Sequence, residues 1–318
     1  MGEKDADVPA EARSARNGQG VETATDRLRI ILGQERLDVL ASSRVLVLGL
    51  GGVGSNCVEA LARGGVGELV LVDRDIVQPS NINRQAVAYH STIGRAKTDV
   101  MEEIVHDINP DCRVTTVHRF LSKENLVPTL EALPRPDYVV DAIDTISQKL
   151  IVAKWCQDTG LRLISSMGGA NKLNPERLRF STIEKTKSCP ICKVMRKECR
   201  KRGIRGLQVL YSSEVPMPVT PRGAELPGGR RPEKGVTLGT MSYMPPIMGQ
   251  MIAGRVICDL ADLRNDLDVQ EPIVAPRRRG GRSPCGCLTR TATWTSCRTW
   301  KRSRATPRQT ACTCSQPR

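Results

Sequence analysis

The chain has 318 residues, of which 39% are hydrophobic, and a formal net charge of +14. That is long enough for one large α/β domain or two small ones with a real core, while the longest apolar runs are too short to cross a bilayer as a helix. The charge alone does not argue for nucleic acid, because 11 of the 48 basic residues fall between Arg277 and Arg318, where there is no acid, and the rest of the chain is close to neutral.

Residues 1–24 are polar and aperiodic, so a disordered N-terminus is expected; it has no signal-peptide apolar region, and its acids fit a transit peptide poorly. In "DRLRIILGQERLDVLA" the spacing of Leu28, Ile31, Leu32, Leu37 and Leu40 predicts a helix with one apolar face, interrupted at Gly33. "RVLVLGL" reads as a first strand. A helix over 53–63 should stop at Gly64-Gly65, and "ELVLVD" is a second strand ending at Asp73. "RDIVQPSNINRQ" reads as a long loop. A helix over 94–108 stops before Pro110, "CRVTTV" is a third strand, and "KENLVPTLEAL" carries a short helix. "DYVVDAID" is a fourth strand, followed by the helix "SQKLIVAKWCQDTG" and the strand "LRLISSM". Strands that alternate with helices and read as buried on both faces predict a Rossmann-like α/β fold, with a mostly parallel sheet covered by helices on both faces. After Gly168 the pattern changes: "RLRFSTI" and "LQVLYSS" are strand-like around a basic helical segment, and "PPIMGQMIAGRVICDLADL" is one buried helix.

The expected organisation is one domain over 25–275 and a disordered basic tail over 276–318. The tail holds five of the 12 cysteines but no apolar periodicity. Two explanations of it stay open, a reading frame that departs from the body's own and a genuine basic tail that touches RNA. The seven body cysteines are scattered except for Cys189 and Cys192, which is no disulfide framework and suggests a reducing compartment, the cytoplasm by default, with mitochondrial association left open. Cys189-Pro190-Ile191-Cys192 is half of a zinc pattern whose second half is missing, so zinc is not expected.

The residues Gly49-Leu50-Gly51-Gly52-Val53-Gly54 satisfy G-x-G-x-x-G between a strand and a helix. Glycines there permit a tight turn and a close approach to phosphate, and the helix N-terminus offers free N–H groups. Asp73, at the end of the second strand, is placed to hold a ribose hydroxyl. A hydride-transfer site has little use for Arg84 and Lys97 at the phosphate end, whereas a triphosphate calls for fixed cations and a metal ion. Asp141 and Asp144 end the fourth strand, where a carboxylate can hold Mg²⁺ between phosphates. The plainer alternatives are a surface pair of Arg84 with Asp75 and a solvated Lys97.

The stretches "RVLVLGLGGVGSNCVEALARGGVGELVLVDRDIVQPSNINRQ", "GRAKTDVM" and "VVDAIDT" resemble the ThiF/MoeB/HesA superfamily, the adenylating domains related to ubiquitin-activating enzymes. The resemblance implies that ATP lies over Gly52 and its neighbours Gly49, Gly51 and Gly54, with Asp73 on the ribose. It also implies that Asn81, Arg84 and Gln85 lie near the phosphates, Lys97 contacts them, and Asp144 binds Mg²⁺ or the phosphates. Asp75, Asn83 and Thr145 are counted with this nucleotide-binding set. "DRLRIILGQERL" resembles the segment whose arginine crosses a homodimer into the partner's site; Arg27 is the match, with Arg29 close enough to leave the register open. The activity implied is attack of a carboxylate on the α-phosphate of ATP, giving an acyl-adenylate and pyrophosphate.

The second half, from "SSMGGANKLNPERLRF" through "YSSEVP" and again at "LGTMSYMPPIMGQMIAGRVICDL", resembles the tRNA threonylcarbamoyladenosine dehydratase branch, which implies a tRNA substrate. Between Lys185 and Arg205 there are nine basic residues against one acid, Glu198. On a helix Lys193, Arg196, Lys197, Arg200 and Lys201 form one stripe, suited to an RNA backbone or to a plain solvated face. The alternatives are an activator of a ubiquitin-like or sulfur-carrier protein, in which case a sulfur-transfer partner enters, and a non-catalytic nucleotide-binding protein.

Overall fold

Alternate residues of "RVLVL" face opposite ways, and the two sides meet different helices. The computed structural model describes residues 22–218 and 238–263. Nearly all of the expected N-terminal disorder and the whole of the 276–318 tail lie outside the described residues, which belong to one compact unit, Met1–Gln270.

In chain order the main elements are α1 (Asp26–Ser42), β1 (Arg44–Leu48), α2 (Gly52–Arg63), β2 (Glu68–Asp73), α3 (Lys97–Ile108), β3 (Arg113–His118) and α4 (Leu126–Glu131). They continue with β4 (Tyr138–Asp141), α5 (Ile146–Thr159), β5 (Arg162–Ser166), β6 (Leu178–Thr182), α6 (Pro190–Lys201), β7 (Gln208–Ser212) and α7 (Met244–Leu260). The seven strands form one sheet in the order β3-β2-β1-β4-β5-β7-β6, parallel throughout except for the β6–β7 pair. Val45 and Val47 point into a core shared with α1, α2, α3 and α7, and Leu46 and Leu48 into one shared with α4, α5 and α6. That period of two, buried on both faces, is what a central parallel strand requires. The chain leaves β1 for β2 and β3 on one side and takes β4 and β5 to the other. A crevice therefore opens at the carboxyl ends of β1 and β4.

Three elements depart from the sequence reading. Gly33, at φ 75°, breaks the path of α1 and resets its phase. Leu32, Leu37 and Leu40 are buried, while Ile30 and Ile31 stand 79% and 77% exposed, so Ile31 does not share their face. β3 is an edge strand whose residues are only half-buried or exposed, in keeping with its Thr115-Thr116 pair. A third difference is small but bears on the site: α3 starts at Lys97 rather than Gly94, because Gly94 takes φ 88° and Ile76 bridges to Ala96.

At the opposite end of the sheet Glu68 ties three strands together. Arg44 holds both its oxygens, at 2.5 and 2.8 Å, and Arg113 adds a third bond at 2.9 Å. Arg44 first, and then Arg113, hold the Glu68 carboxyl below its ordinary value. Its stabilisation is present above the unfolded carboxylate value and is lost as pH falls through the lower folded one. Glu68→Gln is expected to lower Tm at neutral pH by roughly 3–6 °C, about 1–2 kcal/mol, with the gap closing below about pH 4. Thermal melts of both proteins across pH 3–7 check this.

Candidate active site

The turn after β1 shows why three of its residues must be glycine. Gly49 has φ 91°, and a Cβ there would meet Ala142 O at 2.9 Å. A Cβ on Gly54 would stand 1.8 Å from Gly49 O, and one on Gly52 would stand 2.8 Å from Pro245 Cβ. Gly51 has open space, and α2 begins directly behind it with no acid in its first turn. The uncapped N–H groups and partial positive charge of that helix end therefore face a cavity.

The cavity, about 410 Å³, is lined by Gly49, Gly51 and Gly52 below and by Pro245 and Met248 of α7. Asp73, Asp75, Asn81, Arg84, Gln85, Lys97, Asp144 and Thr145 also line it, so the sequence-predicted set converges here with three exceptions. Gly54 packs beneath the turn against Gly49 rather than into the cavity. Asn83 does not itself line the cavity; it donates to Thr240 O at 3.1 Å and accepts from Arg84, two residues that do. Arg27 is exposed on α1 and does not line the cavity of its own chain, while Arg29 is engaged within α1 by Asp26 and Gln34. None of the three histidines lines the cavity.

Asp73 accepts the Leu50 N–H at 2.5 Å and the Asp75 N–H at 2.7 Å, which fixes its carboxylate at the end of β2. Neither plain alternative for the two cations holds. Lys97 is buried and its Nζ lies 3.1 Å from Asp75 Oδ2, so it is Lys97 that pairs with Asp75. Arg84 donates to Ser80 O and Asn83 Oδ1 at 2.9 and 2.7 Å, neutral groups that leave its charge for another partner. Among the described residues two buried side-chain polar atoms lack a hydrogen-bond partner, Gln85 Oε1 and Trp155 Nε1, and of these only Gln85 lines this cavity. A buried amide left unsatisfied costs about 1–3 kcal/mol unless a ligand completes it. The two cations and the open glycine turn fit a polyphosphate, and the orphaned amide oxygen, an acceptor, fits a donor such as a hydroxyl or amino group of the same ligand. Asp144 lies exposed in the cavity wall with the Thr145 hydroxyl on its Oδ1 at 3.1 Å, and its oxygens suit a hard cation such as Mg²⁺.

Asp141 is different from its neighbour in "DAIDT". It is fully buried, does not line the cavity, and is paired with Lys149 at 3.1 Å, which removes it as a metal ligand. Sequence reasoning also missed part of the cavity lining. Arg119, Phe120 and Leu121 follow β3, and Arg74 stacks its guanidinium 4.6 Å from the Phe120 ring centroid. Position just past a strand's carboxyl end was the available signal.

The basic segment is helical, as α6, with Cys192, Met195 and Cys199 buried. Lys193, Lys197, Arg200 and Lys201 are exposed on the other side, but Arg196 turns back to Thr186 O and Oγ1 at 2.9 and 2.6 Å and leaves the stripe. Cys189 caps this helix. The Cys192 thiol first, with first-turn N–H groups and the buried Lys172, holds Cys189 well below the usual thiol range, and Cys192 is pushed up in turn. Among the described residues no group of three or more His, Cys, Asp or Glu side chains is placed to hold a metal, and no helix is long and apolar enough to cross a membrane.

A parallel sheet with a glycine turn, an aspartate closing β2 and two cations at one crevice defines an α/β protein of the nucleotide-binding class. The chain belongs to the ThiF family, whose model matches residues 25–273. It is 40% identical over 238 residues to the tRNA threonylcarbamoyladenosine dehydratase of Bacillus subtilis, covering 74% of this chain and 93% of that protein. It is 32% identical to the enzyme of the same name in Escherichia coli, over 58% of this chain and 71% of that one. Its fold superposes on the crystal structure of Escherichia coli TcdA in complex with ATP with a TM-score of 0.62 and 26% identity, covering 76% of this chain and 100% of that chain.

Proposed function

We propose that this protein is an ATP-dependent tRNA threonylcarbamoyladenosine dehydratase. The threonine carboxylate of the modified nucleoside attacks the α-phosphorus of ATP and pyrophosphate leaves. The neighbouring carbamoyl group then attacks the activated acyl carbon, a ring closes, and AMP departs. ATP thus becomes AMP and pyrophosphate, and the nucleoside loses the elements of one water. Both reactants are anions, so their approach and the charge building on the leaving pyrophosphate set the barrier. Arg84 and Lys97 meet that charge, and the α2 N-terminus completes the cradle. Asp73 orients the ribose. Mg²⁺ held by Asp144 would supply further charge neutralisation between the phosphates. Because the second step is intramolecular, the reading needs no nucleophilic cysteine, and neither Cys189 nor Cys192 lines the cavity.

The observation that carries the reading is the meeting of Arg84 and Lys97 over the glycine turn in one cavity. Incubation with ATP, Mg²⁺ and tRNA bearing the modified adenosine tests it, with mass spectrometry of the digested nucleosides. Loss of one water from that nucleoside is expected. Adenylation of a small carrier protein instead would move the chain to the carrier-activating branch, and ATP binding without either reaction would make it non-catalytic.

The exposed side of α6 is the proposed tRNA contact. Reversing Lys193, Lys197 and Arg200 to Glu is expected to raise the tRNA KM about tenfold or more and to cut the salt dependence of tRNA binding by about 2–3 log units per log unit of salt, with ATP affinity unchanged. Filter binding across a salt series measures this. The free thiols of the described cysteines suit a reducing compartment, and we place the enzyme in the cytoplasm.

We further propose a two-fold dimer. Ile30 and Ile31 expose an apolar surface on the same helix that carries Arg27, and a partner covering it would bring Arg27 to the other subunit's cavity. Arg27→Ala and Lys97→Ala proteins, each nearly inactive alone, should regain about a quarter of wild-type activity when refolded together in equal amounts, because a mixed dimer carries one intact site. No regain, with mixed dimers confirmed by native mass spectrometry, removes the shared site.

A further inference from the structure

Lys149 is a cation sealed 97% away from solvent, four residues into a helix that otherwise packs apolar side chains. Its Nζ reaches Ser166 O at 2.8 Å, Asp141 Oδ2 at 3.1 Å, Ser165 Oγ at 3.3 Å and Asp141 O at 3.4 Å. Asp141 is fully buried as well, and each of its oxygens is committed. Ser165 Oγ donates to Oδ2 at 2.6 Å, and the Ile143 N–H donates to Oδ1 at 3.1 Å. Asp141 and Ser165 are register partners on β4 and β5, so one ammonium clamps the last residues of two neighbouring strands.

Burying an ion pair this deeply is a poor way to gain stability, since desolvation offsets most of the attraction. The arrangement makes sense for what it holds. The residues leaving Asp141 are Ala142, Ile143, Asp144 and Thr145, and all four line the nucleotide cavity. The Asp141–Ile143 bond sets the bend of that segment, and Ala142 O and Cβ are the atoms against which Gly49 and Gly54 pack. The clamp therefore fixes both the Asp144 carboxylate and one wall of the glycine turn.

We infer that Lys149 and Asp141 are positioning residues for the nucleotide–metal site, holding the 142–145 turn so that Asp144 faces the phosphates. This rests on the proposed adenylating function and adds residues that touch neither nucleotide nor metal. Outer residues that orient a ligand commonly govern metal affinity by about 10–100-fold.

The test is Mn²⁺ binding to the protein with a non-hydrolysable ATP analogue, followed by electron paramagnetic resonance, alongside Tm. Lys149→Met leaves a buried carboxylate unpaired and is expected to lower both Tm and Mn²⁺ affinity. Asp141→Asn combined with Lys149→Met removes both charges, keeps an acceptor for the Ile143 N–H, and is expected to restore most of Tm while Mn²⁺ affinity stays at least about tenfold weak. Recovery of Mn²⁺ affinity together with Tm in the double variant overturns the inference. Asp144→Asn separates the two levels. Wild-type Mn²⁺ affinity there overturns the assignment of Asp144 and the inference built on it. Weakened affinity there, with wild-type affinity in the double variant, overturns the inference alone.

Discussion

Lys97→Ala is expected to lower kcat/KM for ATP-dependent dehydration about 10³-fold, close to 4 kcal/mol of transition-state stabilisation. The size follows from where the ammonium sits. Lys97 is 4% exposed at the first position of α3, inside the cavity wall, so its charge acts in a water-poor setting. The substitution also strips Asp75 of its partner and leaves a carboxylate facing the incoming phosphates. The folded state should tolerate it, because Asp75 is half-exposed and can be hydrated, and Tm should move by only a few degrees. Lys97→Arg is not expected to rescue, since a fork of planar donors does not fit the space of a buried ammonium. Steady-state rates at saturating tRNA, with melts of both variants, measure this. Activity within tenfold of wild type in Lys97→Ala would remove Lys97 from the phosphate site.

The second large effect is Asp144→Ala, for which a 10²–10³-fold fall in kcat is expected, with a raised Mg²⁺ requirement. Asp144 is exposed and holds the neighbouring Thr145 hydroxyl, so the loss should cost little stability. A Mg²⁺ titration of the rate should show half-saturation shifted upward, with partial recovery at high metal. An unchanged Mg²⁺ curve would place the metal elsewhere.

Asp141 and Asp144 show where sequence reading stops. Three residues apart on one strand end, they look alike as ligand candidates. In the folded chain one is sealed under α5 with Lys149 and Ser165, and the other stands in the cavity. The difference comes from residues 8 and 24 positions away, which no local pattern encodes. Arg84 and Lys97 are similar. Their place at the cavity was legible, but the pairing of Lys97 with Asp75 was not, because the two stand 22 positions apart in the chain. Phe120 drew no notice in the sequence, since an isolated aromatic after a strand carries no spacing signal; its position over the cavity beside Arg74 depends on the strand order.

The amino-acid sequence by itself determined the alternation of strands and helices, the glycine turn at 49–54, the acid closing β2 and the basic helix before β7. Each of these is written in short-range periodicity or in a backbone shape open only to glycine. Tertiary structure decided the phase change of α1 at Gly33, the removal of Gly54 and Asn83 from the cavity surface, the return of Arg196 to Thr186, and the division of labour between two aspartates. Burial and partnership are properties of neighbours brought together from distant segments, and they set whether a charge binds a ligand or holds the frame around it.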